Sequence, residues 1–131
     1  MPHITIEYSA NLADHHDIPS LVDAVHGAAL QHGLAPLDAL RTRAARRDHY
    51  RIADGDPDYA FVAIRARVGP GRESDAKLSF LEAILGAAEA MVASAPCPLA
   101  IAWSAELTEV DPTFRINDNG VRQRLASRQE L

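Results

Sequence analysis

The chain has one cysteine in 131 residues, Cys97. An internal disulfide is therefore excluded, and the composition suits a reducing cytoplasm. Cys97 stands between Pro96 and Pro98, a turn-like setting with no sequence neighbour that would activate a thiol. Metal-binding spacing is also missing: the six histidines form no His-Glu-x-x-His and no Cys/His pairing. Gly69-Pro70-Gly71 lacks the third glycine of a nucleotide fingerprint. No apolar run approaches the ~20 residues that span a bilayer. The opening residues have neither the basic start nor the apolar stretch of a signal peptide. Positive charge is not in excess, because the formal net charge is −5, which argues against a general nucleic-acid surface. One cytoplasmic domain, residues 1–131, is expected, with no nucleic-acid or membrane partner and no cofactor.

What the chain does have is a high apolar share, 47%, much of it alanine. Alanine buries little area, so thin, closely packed helices are expected, with part of the stability coming from an oligomer interface. Residues 3–8 alternate His3/Thr5/Glu7 against Ile4/Ile6/Tyr8, the period of a half-buried strand. A polar loop from Ser9 to Asp17 follows. Ile18, Leu21, Val22, Val25, Ala28 and Ala29 recur at helical steps, with Pro19 in the first turn and Gly33 as the stop. Leu40 to Arg47 reads as a second strand, and Asp54-Gly55-Asp56-Pro57 as a turn. Residues 58–68 then form the clearest strand, a helix runs from about Glu73 to Val92, and Leu99 to Thr108 is a fourth strand. After Pro112 a short strand and then a helix from Val121 are expected. The order is βαβ twice, with crossovers long enough for parallel pairs. Alternation alone fits either a ferredoxin-like split βαβ sheet or two adjacent βαβ units.

The chemistry is concentrated at the start. A proline follows the initiator, so Met1 is expected to be trimmed, which leaves Pro2 with a free secondary amine. An α-amino group titrates near about 7.7–8.0, and burial or nearby cations lower that value. Such an amine in a cleft is a general base close to working pH. The arginines gather between Arg41 and Arg72 in an otherwise acidic chain. An arginine beside the amine would grip a substrate carboxylate and disfavour the protonated amine. Arg72 follows a Gly-Pro-Gly turn, where loop ends place functional groups. Arg41 and Arg43 lie on the second strand. His3 neighbours the candidate base, but its alternation turns it away from Ile4.

The opening Pro2-His3-Ile4-Thr5-Ile6-Glu7-Tyr8-Ser9 resembles the start of 5-carboxymethyl-2-hydroxymuconate Δ-isomerases, a branch of the tautomerase superfamily. Pro36-Leu37, Leu40-Arg41-Thr42-Arg43, Ala53-Asp54-Gly55, Asp58 to Val62, Gly69-Pro70-Gly71-Arg72, Glu106-Leu107, Asp111-Pro112-Thr113 and Asn117 to Val121 are similar in the same order. The resemblance spans nearly the whole chain. It implies an α+β fold of tandem βαβ units, with a four-stranded sheet, two helices on one face, and a homotrimer closing the other faces around an axis. It further implies a cofactor-independent isomerase acting on a small dicarboxylic or tricarboxylic dienol acid. Pro2, Arg41 and Arg72 would be its catalytic residues, with Arg43 behind them in substrate binding. Ala44 to Arg51 departs from the family pattern and bears on the exact substrate. Two further readings are a tautomerase or dehalogenase of another small enol acid, and a non-catalytic ferredoxin-like module that binds a small acid.

Overall fold

Three of the four strands alternate inside and outside residues along most of their length, which leaves one face of the sheet apolar and places charged side chains on the other. The strand Arg41–Arg47 does not follow that period. The computed structural model describes residues 2–129. Strand β1 (His3–Ser9) is followed by a short 3-10 turn, Ala10–Asp14, and helix α1 (Ile18–His32). Strands β2 (Arg41–Arg47) and β3 (Tyr59–Val68) follow, then α2 (Ser74–Ala93), β4 (Ala100–Glu109), a second 3-10 turn Pro112–Phe114, and α3 (Gly120–Gln129). Helix α1 begins where the Asp17 carboxylate accepts the Ser20 backbone N–H, satisfying one of the unpaired first-turn donors. It ends at Gly33, whose φ of 88° is the left-handed stop. Leu21, Val25 and Ala29 of α1, and Phe80, Ile84 and Ala88 of α2, are fully buried. Their four-residue spacing lays one stripe of each helix on the same face of the sheet, against Ile4, Ile6, Val62, Ile64 and Ala66.

The strand order is β2-β1-β3-β4. β1 pairs with β2 in parallel, β3 with β4 in parallel, and β1 with β3 antiparallel, Ile6 opposite Ile64. Strands joined by a helix are therefore neighbours. A split βαβ sheet would place another strand between them, so that alternative is excluded. The two units open with the same bond: the Arg41 N–H donates to the Pro2 carbonyl at 3.2 Å, and the Ala100 N–H to the Asp58 carbonyl at 2.8 Å.

The helix-free face carries a line of alternating charge across all four strands. The Glu7 carboxylate lies 3.0 Å from the Arg47 guanidinium and 3.8 Å from that of Arg65, and Arg65 reaches Glu106 at 3.4 Å. Two details differ from the sequence-based expectation. The segment after β1 is not simply polar, because its 3-10 turn drives Leu12 fully into the core. The tail after β4 forms a 3-10 turn rather than a strand. There the Asp111 carboxylate accepts the Thr113 N–H at 2.9 Å, and a local Asx bond of this kind competes with strand pairing. Among the described residues no helix is long and apolar enough to cross a membrane.

Candidate active site

β1 and β2 start at one end of the sheet, and the antiparallel β3 finishes there. Pro2 is fully buried at this end, tied to Arg41 by the backbone bond just described. His3 lies opposite Arg41 on one side and Arg67 on the other. Arg43 Nη2 donates to His3 Nδ1 at 2.8 Å. Pro2, Arg41 and Arg43 are thus brought to one strand end, while the expected removal of Met1 lies outside the described residues.

Arg72 arrives from the turn that follows β3. Gly71 takes a φ of 108° there, a conformation open to glycine and strained for other residues. The Arg72 guanidinium donates to the Gly69 carbonyl at 3.1 Å and to the Leu34 carbonyl at 3.2 Å. This side chain therefore straps the turn to the segment after α1, and three of its five N–H donors have no partner among the described residues. Arg41 spends one donor on the Ala39 carbonyl, at 3.3 Å. A cleft of about 270 Å³ opens on Arg41, its other wall formed by Asn117–Asn119, Arg122 and Gln123.

Electrostatics at this end favour a neutral His3. Burial and the charges of Arg43, Arg41 and Arg67 hold the His3 imidazole below its ordinary value of 6.5. Neutral His3 is what the contact requires, because Nδ1 must accept from Arg43. The linkage has a definite sign. With the folded value depressed, the unfolded chain takes up its proton first as pH falls. This contribution to stability is complete above about 6.5 and is lost as pH falls toward the folded value. Denaturant midpoints measured from pH 7.5 down to 5 should fall less steeply in His3→Gln than in the parent. Identical slopes would remove His3 from the titration. His16, depressed by burial and by His15, contributes equally to both proteins.

Sequence reasoning set His3 aside for facing away from Ile4. That orientation is correct, and it is the face on which the arginines gather. The signal was the cross-strand register, which no single strand reveals. Elsewhere, the His16 Nε2 lies 3.3 Å from the Cys97 sulfur in a part-buried setting. The pair lies at the end of the sheet remote from Pro2. The arginines of 44–51 also lie at that remote end: Arg46 pairs with Asp48 at 2.7 Å, Arg47 with Glu7, and Arg51 bonds the Asp54 carbonyl. The departure from the family pattern in this stretch is therefore away from the Arg41 cleft. Among the described residues no cluster of three or more His, Cys, Asp or Glu could hold a metal ion.

Comparison with known proteins agrees with this architecture. Residues 2–125 match the family 5-carboxymethyl-2-hydroxymuconate isomerase. The 5-carboxymethyl-2-hydroxymuconate Delta-isomerase of Escherichia coli is 30% identical over 121 residues, which is 92% of this chain and 96% of that relative. A crystal structure of a 5-carboxymethyl-2-hydroxymuconate isomerase from Deinococcus radiodurans R1 superposes with a TM-score of 0.85 at 29% identity, covering 95% of this chain and 93% of that one. A fused 4-OT symmetric trimer shares the fold alone, with a TM-score of 0.65 at 17% identity over 89% of this chain and 93% of the other. With the match running from Pro2 into α3 and the tandem βαβ sheet in place, the chain belongs to the 5-carboxymethyl-2-hydroxymuconate isomerase family and is an isomerase.

Proposed function

We propose that the protein converts 5-carboxymethyl-2-hydroxymuconate to its oxo isomer in the cytoplasmic breakdown of aromatic compounds, with the Pro2 amine as general base and no cofactor. The observation that carries this reading is the burial of Pro2 at a strand end, bonded through its backbone to Arg41, where Arg41, Arg43 and Arg67 gather around the neighbouring His3. With Met1 removed, the amine takes the enol O–H proton and returns a proton to carbon at the far end of the conjugated system. Nothing is gained or lost overall. Arg41 and Arg72 hold carboxylates and stabilise the dienolate, and Arg43 supports binding from beside His3. The surrounding positive charge keeps the amine neutral. Three copies assemble through the helix-free sheet faces, a reading supported by one structure of the same fold being a symmetric trimer.

The purified protein, dialysed against a chelator, should bleach the dienol absorbance of this triacid far faster than it turns over phenylpyruvate enol or a haloacrylate. Preference for either of those substrates would move the assignment elsewhere in the superfamily. Intact mass should show Met1 absent from the active protein. Full activity with Met1 retained would discard the amine as the base.

A further inference from the structure

The Arg41 cleft contains a second guanidinium that the proposed mechanism leaves idle. Arg122, on the first turn of α3, lines this cleft together with Arg41, Asn117, Asn119 and Gln123. Two contacts to Asp38 fasten the turn. Asn119 Nδ2 donates to the Asp38 carbonyl at 2.9 Å, and Arg122 Nε bonds the Asp38 carboxylate. Asn119 also accepts the backbone N–H groups of Val121 and Arg122, at 3.1 and 3.3 Å, so the turn is set before any ligand arrives. With Nε occupied, both terminal nitrogens of Arg122 have no partner among the described residues, and this planar end is the part that matches a carboxylate. The Arg122 hydrogen bond also holds the Asp38 carboxyl below its ordinary value, so the anchor is ionised at neutral pH. Asp38 offsets part of the Arg122 charge from outside the cleft, and Asp118 is the one carboxylate on the wall.

The substrate named above has three carboxylates: two end the muconate chain and one ends the carboxymethyl arm. Arg41 and Arg72 account for two. The cleft, at about 270 Å³, lies below the usual range of about 300–1,000 Å³ for sites that enclose a whole ligand. It suits one arm of a ligand. We propose that Arg122 binds the third carboxylate and so selects tricarboxylic over dicarboxylic acids. This inference rests on the proposed function for the identity of the substrate, but its test does not require turnover.

Calorimetric titration with adipate and with its carboxymethyl derivative compares a saturated diacid and triacid that the enzyme cannot isomerise. The parent protein should bind the triacid about fivefold more tightly, the upper end for an ion pair to a side chain that is 67% exposed. Arg122→Gln should bring the two affinities together while leaving adipate unchanged. Equal loss for both ligands would make Arg122 a structural residue and overturn the proposal. An unchanged ratio, or a parent protein that binds neither acid, would do the same. If Arg122→Gln does not fold, Arg122→Lys serves in its place: an intermediate ratio supports the assignment and the parental ratio overturns it. A protein that keeps the triacid preference yet fails to isomerise the dienol acid would overturn the reaction assigned above and leave this selectivity standing.

Discussion

Pro2→Ala should lower kcat about a hundredfold, the lower end of what a positioned general base contributes. The estimate sits at the lower end because alanine at the terminus still offers a primary amine with a similar intrinsic value, about 7.7–8.0. What is lost is placement. The pyrrolidine ring ties the nitrogen to the side chain and fills a fully buried position, so the nitrogen is held in one orientation. An alanine in its place frees the backbone at the chain end. A companion variant with one residue inserted between Met1 and Pro2 makes the ring nitrogen an amide, removes its basicity and should abolish activity. Sedimentation should change little in Pro2→Ala, since the backbone bond to Arg41 uses the Pro2 carbonyl, while the thermal unfolding midpoint should fall modestly because buried ring methylenes are lost. Parental turnover in either variant would end the case for the amine.

Arg41→Gln is the second large effect, expected at about 100- to 1,000-fold in kcat/KM, the scale of removing one donor aimed at developing negative charge. Its N–H, which holds the β1–β2 pairing, survives the exchange. The single bond to the Ala39 carbonyl can be remade by an amide. The losses are the charge and the two-pronged grip on a carboxylate. A pH profile separates these from misfolding. With one cation fewer beside it, the amine becomes more basic, so the acidic limb of kcat/KM should move to higher pH. A lower rate with an unmoved limb would mean that Arg41 binds substrate without tuning the base. Arg72→Gln is the harder variant to read, because it also frees the Gly69 and Leu34 carbonyls.

Both helices of the sheet were legible in the sequence because each follows one period with its own stops: Asp17 and Gly33 bound α1, and Pro96 lies just beyond α2. Strands β1, β3 and β4 were legible for the same reason, through alternation, whereas β2 has no such period. Their order was not, since pairing is a relation between segments that no single segment encodes. The neglect of His3 follows directly, because its importance comes from lying opposite Arg41 and Arg67. Leu12 was hidden by polar neighbours, its burial being set by a 3-10 turn too short to show a period. Pro2, Arg41 and Arg72 were visible as residue types with a chemical use. Arg122 and Asp38 were not, because they meet only when the tail returns across 84 residues of sequence.

The matched opening bonds of the two βαβ units carry a final consequence. Because Arg41 meets Pro2 as Ala100 meets Asp58, Asp58 is the counterpart of Pro2 in the second half of the molecule. Its nitrogen, however, is an interior peptide amide and can never act as a base. The approximate two-fold symmetry of the sheet is therefore broken chemically where the backbone repeats. Duplication would supply two equivalent corners per polypeptide, and only the corner containing the chain terminus can be reactive. On the proposed mechanism the stoichiometry is one proton-transfer centre per subunit, and a covalent titrant of secondary amines should saturate at that number.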